Sequence, residues 1–115
     1  MQKILNKSKN GKVFKCANCN SIHIEYKNLN FNFSKAQFDH FTEYIINLDA
    51  DDWENKNKDI IYKRKIVIPI GHKQFNVLLN KTELKELKEL LTNSGTEKEI
   101  IQMELLGFDF NCYLN

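Results

Sequence analysis

The sequence predicts an α+β fold: two ββα units forming an antiparallel sheet with helices on one face, a two-layer sandwich, with an N-terminal hairpin that carries a Cys-x-x-Cys pair. Three observations predict it. Apolar and polar residues alternate over 22–26 and 29–33, the period of a strand buried on one side. The period turns helical after Ser34 and again after Asn80, each time at a helix-start signature. The pattern of residues 28–45 also returns 46 positions later: Leu29, Phe31, Phe33 and Ser34 correspond to Phe75, Val77, Leu79 and Asn80, and Gln37, Phe38 and Phe41 to Glu83, Leu84 and Leu87. Identities between the copies are few, which predicts two similar units rather than a duplication.

Residues 1–10 are expected to be a flexible lead, with Asn10-Gly11 a turn and Lys12–Cys16 a short strand. From Ser21 to Tyr26, Ile22, Ile24 and Tyr26 take one face; Ser21, His23 and Glu25 take the other. Lys27-Asn28 reads as a tight turn because Asn tolerates positive φ. Leu29, Phe31 and Phe33 then point inward, Asn30 and Asn32 outward. Ser34 and Gln37 form a capping box for a helix over about 35–48, whose apolar stripe is Phe38, Phe41, Ile45 and Leu48. Residues 49–60 read as a polar loop around Trp53, with an Asp cap and room for one helical turn.

The β-branched stretch 61–70 predicts a strand, with Pro69 at its end or on an edge because proline cannot donate to the ladder. Gly71–Gln74 turns the chain, and Phe75, Val77 and Leu79 form the next inward face. Asn80 and Glu83 repeat the cap logic for a second helix to about 92, which Asn93-Ser94-Gly95 stops. Thr96 and Glu99 open a short helix that Gly107 ends, and 108–114 alternate as a strand. The expected organisation is a single domain over 1–115, with units at 12–60 and 61–93 and a C-terminal helix and strand over 96–115. Phe31, Phe33, Phe38, Phe41, Val77, Leu79, Leu84 and Leu87 are the expected core.

With 115 residues, 42% hydrophobic and 28% charged, the composition is that of a globular domain rather than a disordered tail. No apolar run approaches the ~20 residues that span a bilayer. The first residues lack a signal-peptide core, and three cysteines are no secreted disulfide framework. The expected location is the cytoplasm, away from any membrane. The net charge of +2 is uneven: residues 1–35 carry seven Lys against one Glu. That basic third invites a nucleic-acid reading. Against it, Arg64 is the sole arginine, and nucleic-acid sites favour the arginine fork.

Three constellations could carry chemistry. Cys16-Ala-Asn-Cys19-Asn20 has the spacing of one zinc knuckle, with Asn20 fit for positive φ. A structural zinc ion takes four ligands, so the pair is half a site. A second chain's pair would complete it, making a homodimer; Cys112 or His72 are the candidates within the chain, and an extended strand carries His23 too far away. The second constellation is the outward sheet face, assigned by parity to His23, Glu25, Asn30, Asn32, Lys63, Lys65, Val67, Asn76 and Leu78. His23 and Glu25 sit two apart and could do acid–base work, although a solvated face is the plainer reading. This face is expected to lack aromatics, against a base-stacking sheet. Val67 and Leu78 are apolar there, which predicts cover by the C-terminal strand or a second copy. The third, Asp49, Asp51, Asp52 and Glu54, lacks the glycine and final Glu of a calcium loop and reads as a helix cap.

The stretches FKCANCNSIHIEYKNLNFNFS, QFDHFTEYI, LDADDWENKN, RKIVIPI and NVLLNKTELKELKELL resemble a family of small single-domain proteins of Bacteroidota, classed as a domain of unknown function. The resemblance spans about residues 10–92 and implies a bacterial, cytosolic, single-domain protein. It implies no activity and no catalytic residues. The favoured reading is therefore a non-enzymatic interaction or regulatory module, zinc-stabilised if the Cys pair finds its remaining ligands. The alternative is a nucleic-acid-associated protein using the basic N-terminal third. An enzyme built on His23 and Glu25 comes last, since the sequence holds no phosphate loop and no nucleophile motif.

Overall fold

The computed structural model describes residues 2–92 apart from Ala17 and Cys19. Its strands are β1 (Gln2–Lys7), β2 (Gly11–Cys16), β3 (Ile22–Tyr26), β4 (Leu29–Phe33), β5 (Ile66–His72) and β6 (Phe75–Leu79). Its helices are α1 (Lys35–Ile46), α2 (Ala50–Lys56) and α3 (Lys81–Thr92). The α+β class and the antiparallel pairing agree with the sequence reading. Both ββα units are present, as β3-β4-α1 and β5-β6-α3. Their strands divide between two sheets, in the orders β1-β2-β3-β4 and β5-β6. The inner edge of β3 is already taken by β2, and α3 packs against β1 and β2 on one side and β6 on the other. The sheets thus share a core without sharing a ladder.

Residues 2–7, expected as a flexible lead, form β1. A bulge between Ile4 and Asn6 lets Leu5 turn inward, where it is buried. Asn6 then donates from Nδ2 to the carbonyls of Leu90 (2.8 Å) and Glu89 (3.2 Å), in the last described turn of α3. The first strand is thereby tied to α3. The β1–β2 turn is tied to the same helix: Asn10 donates to Glu86 from Nδ2 (2.9 Å) and from its backbone (3.3 Å).

The helix starts follow the sequence. The Ser34 hydroxyl accepts from the Gln37 amide and the Gln37 side chain accepts from the Ser34 amide. Asn80 and Glu83 make the same reciprocal pair, both bonds at 2.8 Å. The loop around Trp53 is more helical than expected: α2 runs two turns from an Asp49 cap that accepts from the amides of Asp51 and Asp52. Those two carboxylates also sit favourably at the positive end of the helix dipole.

The core holds Phe38, Val77, Leu79, Leu84 and Leu87 as expected. Phe31, Phe33 and Phe41 pack against it half-buried, their rings 5.0–5.7 Å apart. Leu5, Val13, Ile22, Ile24, Tyr26, Ile66 and Ile68 join it from the strands, and Ile45, Leu48, Leu90 and Leu91 from the helical segments. The strand expected over 61–70 begins only at Ile66. Before it the chain bonds locally: Asn57 donates to the Lys65 carbonyl (2.7 Å), and Lys65 Nζ reaches back to the Ile60 carbonyl. Phe75, assigned inward, is 60% exposed at the hairpin tip, where it meets His72 edge-on. The β3–β4 turn is the expected two-residue one, but Lys27 rather than Asn28 takes the left-handed backbone, with φ 53°. The helix and strand expected over 96–115 lie outside the described residues.

Candidate functional site

The outward face of the four-stranded sheet follows from strand register. Val13 and Ile24 are paired and fully buried, so their neighbours Phe14 and His23, also paired, face the other way. Cross-strand partners share a face, which adds Ile4 opposite Phe14 and Lys7 opposite Lys12. Glu25 lies opposite Lys12, with Asn30 and Asn32 beyond on β4. The helix α3 covers the opposite face, where Leu90 approaches Gly11. Among the described elements none packs on the outward side.

Contrary to the expectation of a face without aromatics, the Phe14 and His23 rings stack there, centroids 5.0 Å apart and planes 30° from parallel. Lys12 Nζ lies 5.4 Å from the Phe14 centroid, within cation–π range. His23 Nδ1 is 2.6 Å from Asn32 Oδ1. That amide oxygen can only accept, so Nδ1 carries the hydrogen. Asn32 passes the chain on to Asn30 Oδ1 (2.9 Å), and Asn30 Nδ2 to the Ile24 carbonyl (3.4 Å). The ring and the two amides are thereby held in one orientation. Glu25 pairs at 4.0 Å with Lys12, so the two halves of the supposed acid–base couple are committed to different neighbours.

Of the predicted contact residues, His23, Glu25, Asn30 and Asn32 are brought together. Lys65 and Asn76 are not: Lys65 precedes β5, and Asn76 stands on β6 opposite Pro69, in the other sheet. Lys63, Val67 and Leu78 belong to that second region too, with Val67 paired to Leu78 and both half-buried. Phe14, Ile4, Lys7 and Lys12 are the members that the sequence reading missed. The signal was available: once Val13 is placed in the core, parity alone turns Lys12 and Phe14 outward.

Cys16 closes β2 on this same face and is disulfide-bonded. The other two cysteines, Cys19 and Cys112, lie outside the described residues. His72 sits at the far end of β5, its Nδ1 accepting from the Gln74 amide at 3.3 Å. Among the described residues no three His, Cys, Asp or Glu side chains converge on a common point. Among them, too, no helix is long and apolar enough to cross a membrane.

No curated protein and no solved structure matches the chain. A family model described as "Family of unknown function (DUF6686)" matches residues 1–115, so the likeness takes in the C-terminal tail that the resemblance over 10–92 left out.

Proposed function

Since the chain belongs to this family of unknown function, membership supplies no activity, and we propose from geometry that the protein is a non-enzymatic binding module for single-stranded nucleic acid. The observation that carries this reading is the Phe14–His23 stack on a sheet face that the other described elements leave uncovered. Bases of any identity stack on such rings, each worth roughly 1–3 kcal/mol. Charge supports it: the excess of six positive charges in residues 1–35 falls within and around one sheet, with Lys7 and Lys12 on the stacking face itself. The Asn30 and Asn32 amides, locked beside the rings, are suited to base edges. The lack of arginine fits a surface that reads no duplex sequence, since lysine contacts phosphate as a point charge.

The test is fluorescence anisotropy of labelled oligo-U and oligo-dT with the full chain. Binding should weaken with salt at a slope of about −0.7 per phosphate contacted. Phe14→Ala should weaken it about tenfold, within the stacking range, and Lys12→Ala should lower the salt slope. Absence of salt-dependent binding, or binding indifferent to Phe14→Ala, overturns the reading.

A further inference from the structure

A second region of the molecule, separate from the stacking face, holds a cleft. It lies between the β3–β4 turn and the β5–β6 sheet and has a volume of about 500 Å³. Three cations line it, Lys27, Lys63 and Arg64, against one carboxylate, Glu83. Glu83 is 5% exposed and fully engaged. Its Oε1 accepts from Arg64 Nε (2.7 Å) and the Asn80 amide (2.8 Å); its Oε2 accepts from Lys27 Nζ (2.5 Å) and Arg64 Nη2 (3.1 Å). It therefore serves the cleft as an anchor for two cations and has little capacity left to receive a cationic ligand.

The donors are the reverse case. Arg64 has five N–H groups and gives two to Glu83; Lys27 has three and gives one. Both side chains remain over 40% exposed. Lys63 is exposed and lines the same cleft. Asn76 adds an amide, and Leu29 and Ile70 supply an apolar wall. A site with a positive excess, donors held in place by a buried carboxylate, and an apolar side is complementary to one kind of ligand.

We propose that this cleft binds an oxyanion carried on a short apolar body, with Lys63 and the remaining donors of Arg64 and Lys27 on the oxyanion and Leu29 and Ile70 on the body. Carboxylates and phosphate monoesters share that chemistry.

The test is an amide-resolved NMR titration of the full chain with hexanoate, hexyl phosphate, inorganic phosphate and hexanol. Hexanoate or hexyl phosphate should move the amides of Lys27–Leu29, Lys63, Arg64 and Asn76 saturably, with millimolar or tighter affinity; whichever binds more tightly identifies the oxyanion class. Lys63→Ala, at an exposed position outside the Glu83 cluster, should fold normally and weaken binding about tenfold, as loss of a charge-assisted bond does. Phe14→Ala should leave it unchanged. Hexanol acting equally well, inorganic phosphate binding as tightly as hexyl phosphate, or Lys63→Ala binding like the parent each overturns the proposal.

Discussion

Arg64 grips Glu83 side-on, Nε to Oε1 at 2.7 Å and Nη2 to Oε2 at 3.1 Å, and so fastens the segment before β5 to the first turn of α3. Burial alone would raise the Glu83 carboxyl. The bonds from Arg64 and Lys27 and from the Asn80 amide outweigh it and bring the group down to about 2. One residue is at once the third position of a capping box, the partner of two cations and a buried charge. Removing it leaves those cations to solvent and the Asn80 amide without its acceptor.

That arrangement has a pH signature. The folded pKa of about 2 lies below the ordinary 4.5, so the stabilisation is fully present above pH 4.5 and is lost as pH falls toward 2. Melting curves should show the midpoint falling across that window. Glu83→Gln should be less stable at neutral pH by about 2–3 kcal/mol, the scale of hydrogen bonds to charged groups. Its acid sensitivity in the window should also be smaller. An equal fall in both proteins would place the acid-labile contact elsewhere.

Gly11 offers a steric prediction. A Cβ there would stand 2.5 Å from the Glu25 carbonyl oxygen and 3.0 Å from Leu90 Cδ2. The first contact is with backbone and cannot be relieved by a rotamer change. Gly11→Ala should therefore force β2 and β3 apart locally and cost about 1–3 kcal/mol, read as a lower urea midpoint.

Lys27 carries opposing effects at one position. Its left-handed backbone is costly for a side chain with a Cβ, by roughly 1–2 kcal/mol. Its ammonium is also one of the two cations on Glu83. Lys27→Gly should relieve the first and forfeit the second, giving a near-zero change in stability, whereas Lys27→Ala should lose the ion pair and keep the strain. A chemical-denaturation comparison of the two variants separates the terms.

The disulfide at Cys16 makes the last prediction. Reductant should lower the melting temperature, and Cys16→Ser should do so without it. Whichever of Cys19→Ser and Cys112→Ser reproduces that effect identifies the partner. If the Cys16-x-x-Cys19 pair is half of a zinc site, it becomes one only after reduction, since thiolates are the ligands. Zinc added to reduced protein should then restore the melting temperature, and less so on acidification. No restoration removes zinc from consideration.

How much of this was legible in sequence depends on the range of the interaction. The turn at Lys27-Asn28, the caps at Ser34, Asp49 and Asn80, and the faces of β3 and β4 were readable because their determinants lie within a few residues. β1 was not, because its bulge breaks the alternation: Ile4 faces outward and Leu5 inward, yet Asn6 pairs with the buried Val13. Glu83 was recognisable as a cap residue. Its role as an anchor was hidden because Lys27 and Arg64 lie 56 and 19 residues away. Phe14 was within reach, but the aromatics counted were those of the repeated stretches 28–45 and 74–91, and it precedes both.

The bond from Asn6 to Leu90 has a consequence for synthesis. It joins residues 84 apart, and α3 also receives β1, β2 and β6. The N-terminal strand therefore waits on nearly all the described chain before its contact with α3 can form. Contacts of such long separation are slow to close, and during vectorial translation they come last. Until α3 has emerged from the ribosome, the inner face of β1 and β2 lacks its cover, and a nascent chain stalled before Leu90 would present that face to chaperones and to its neighbours on the polysome.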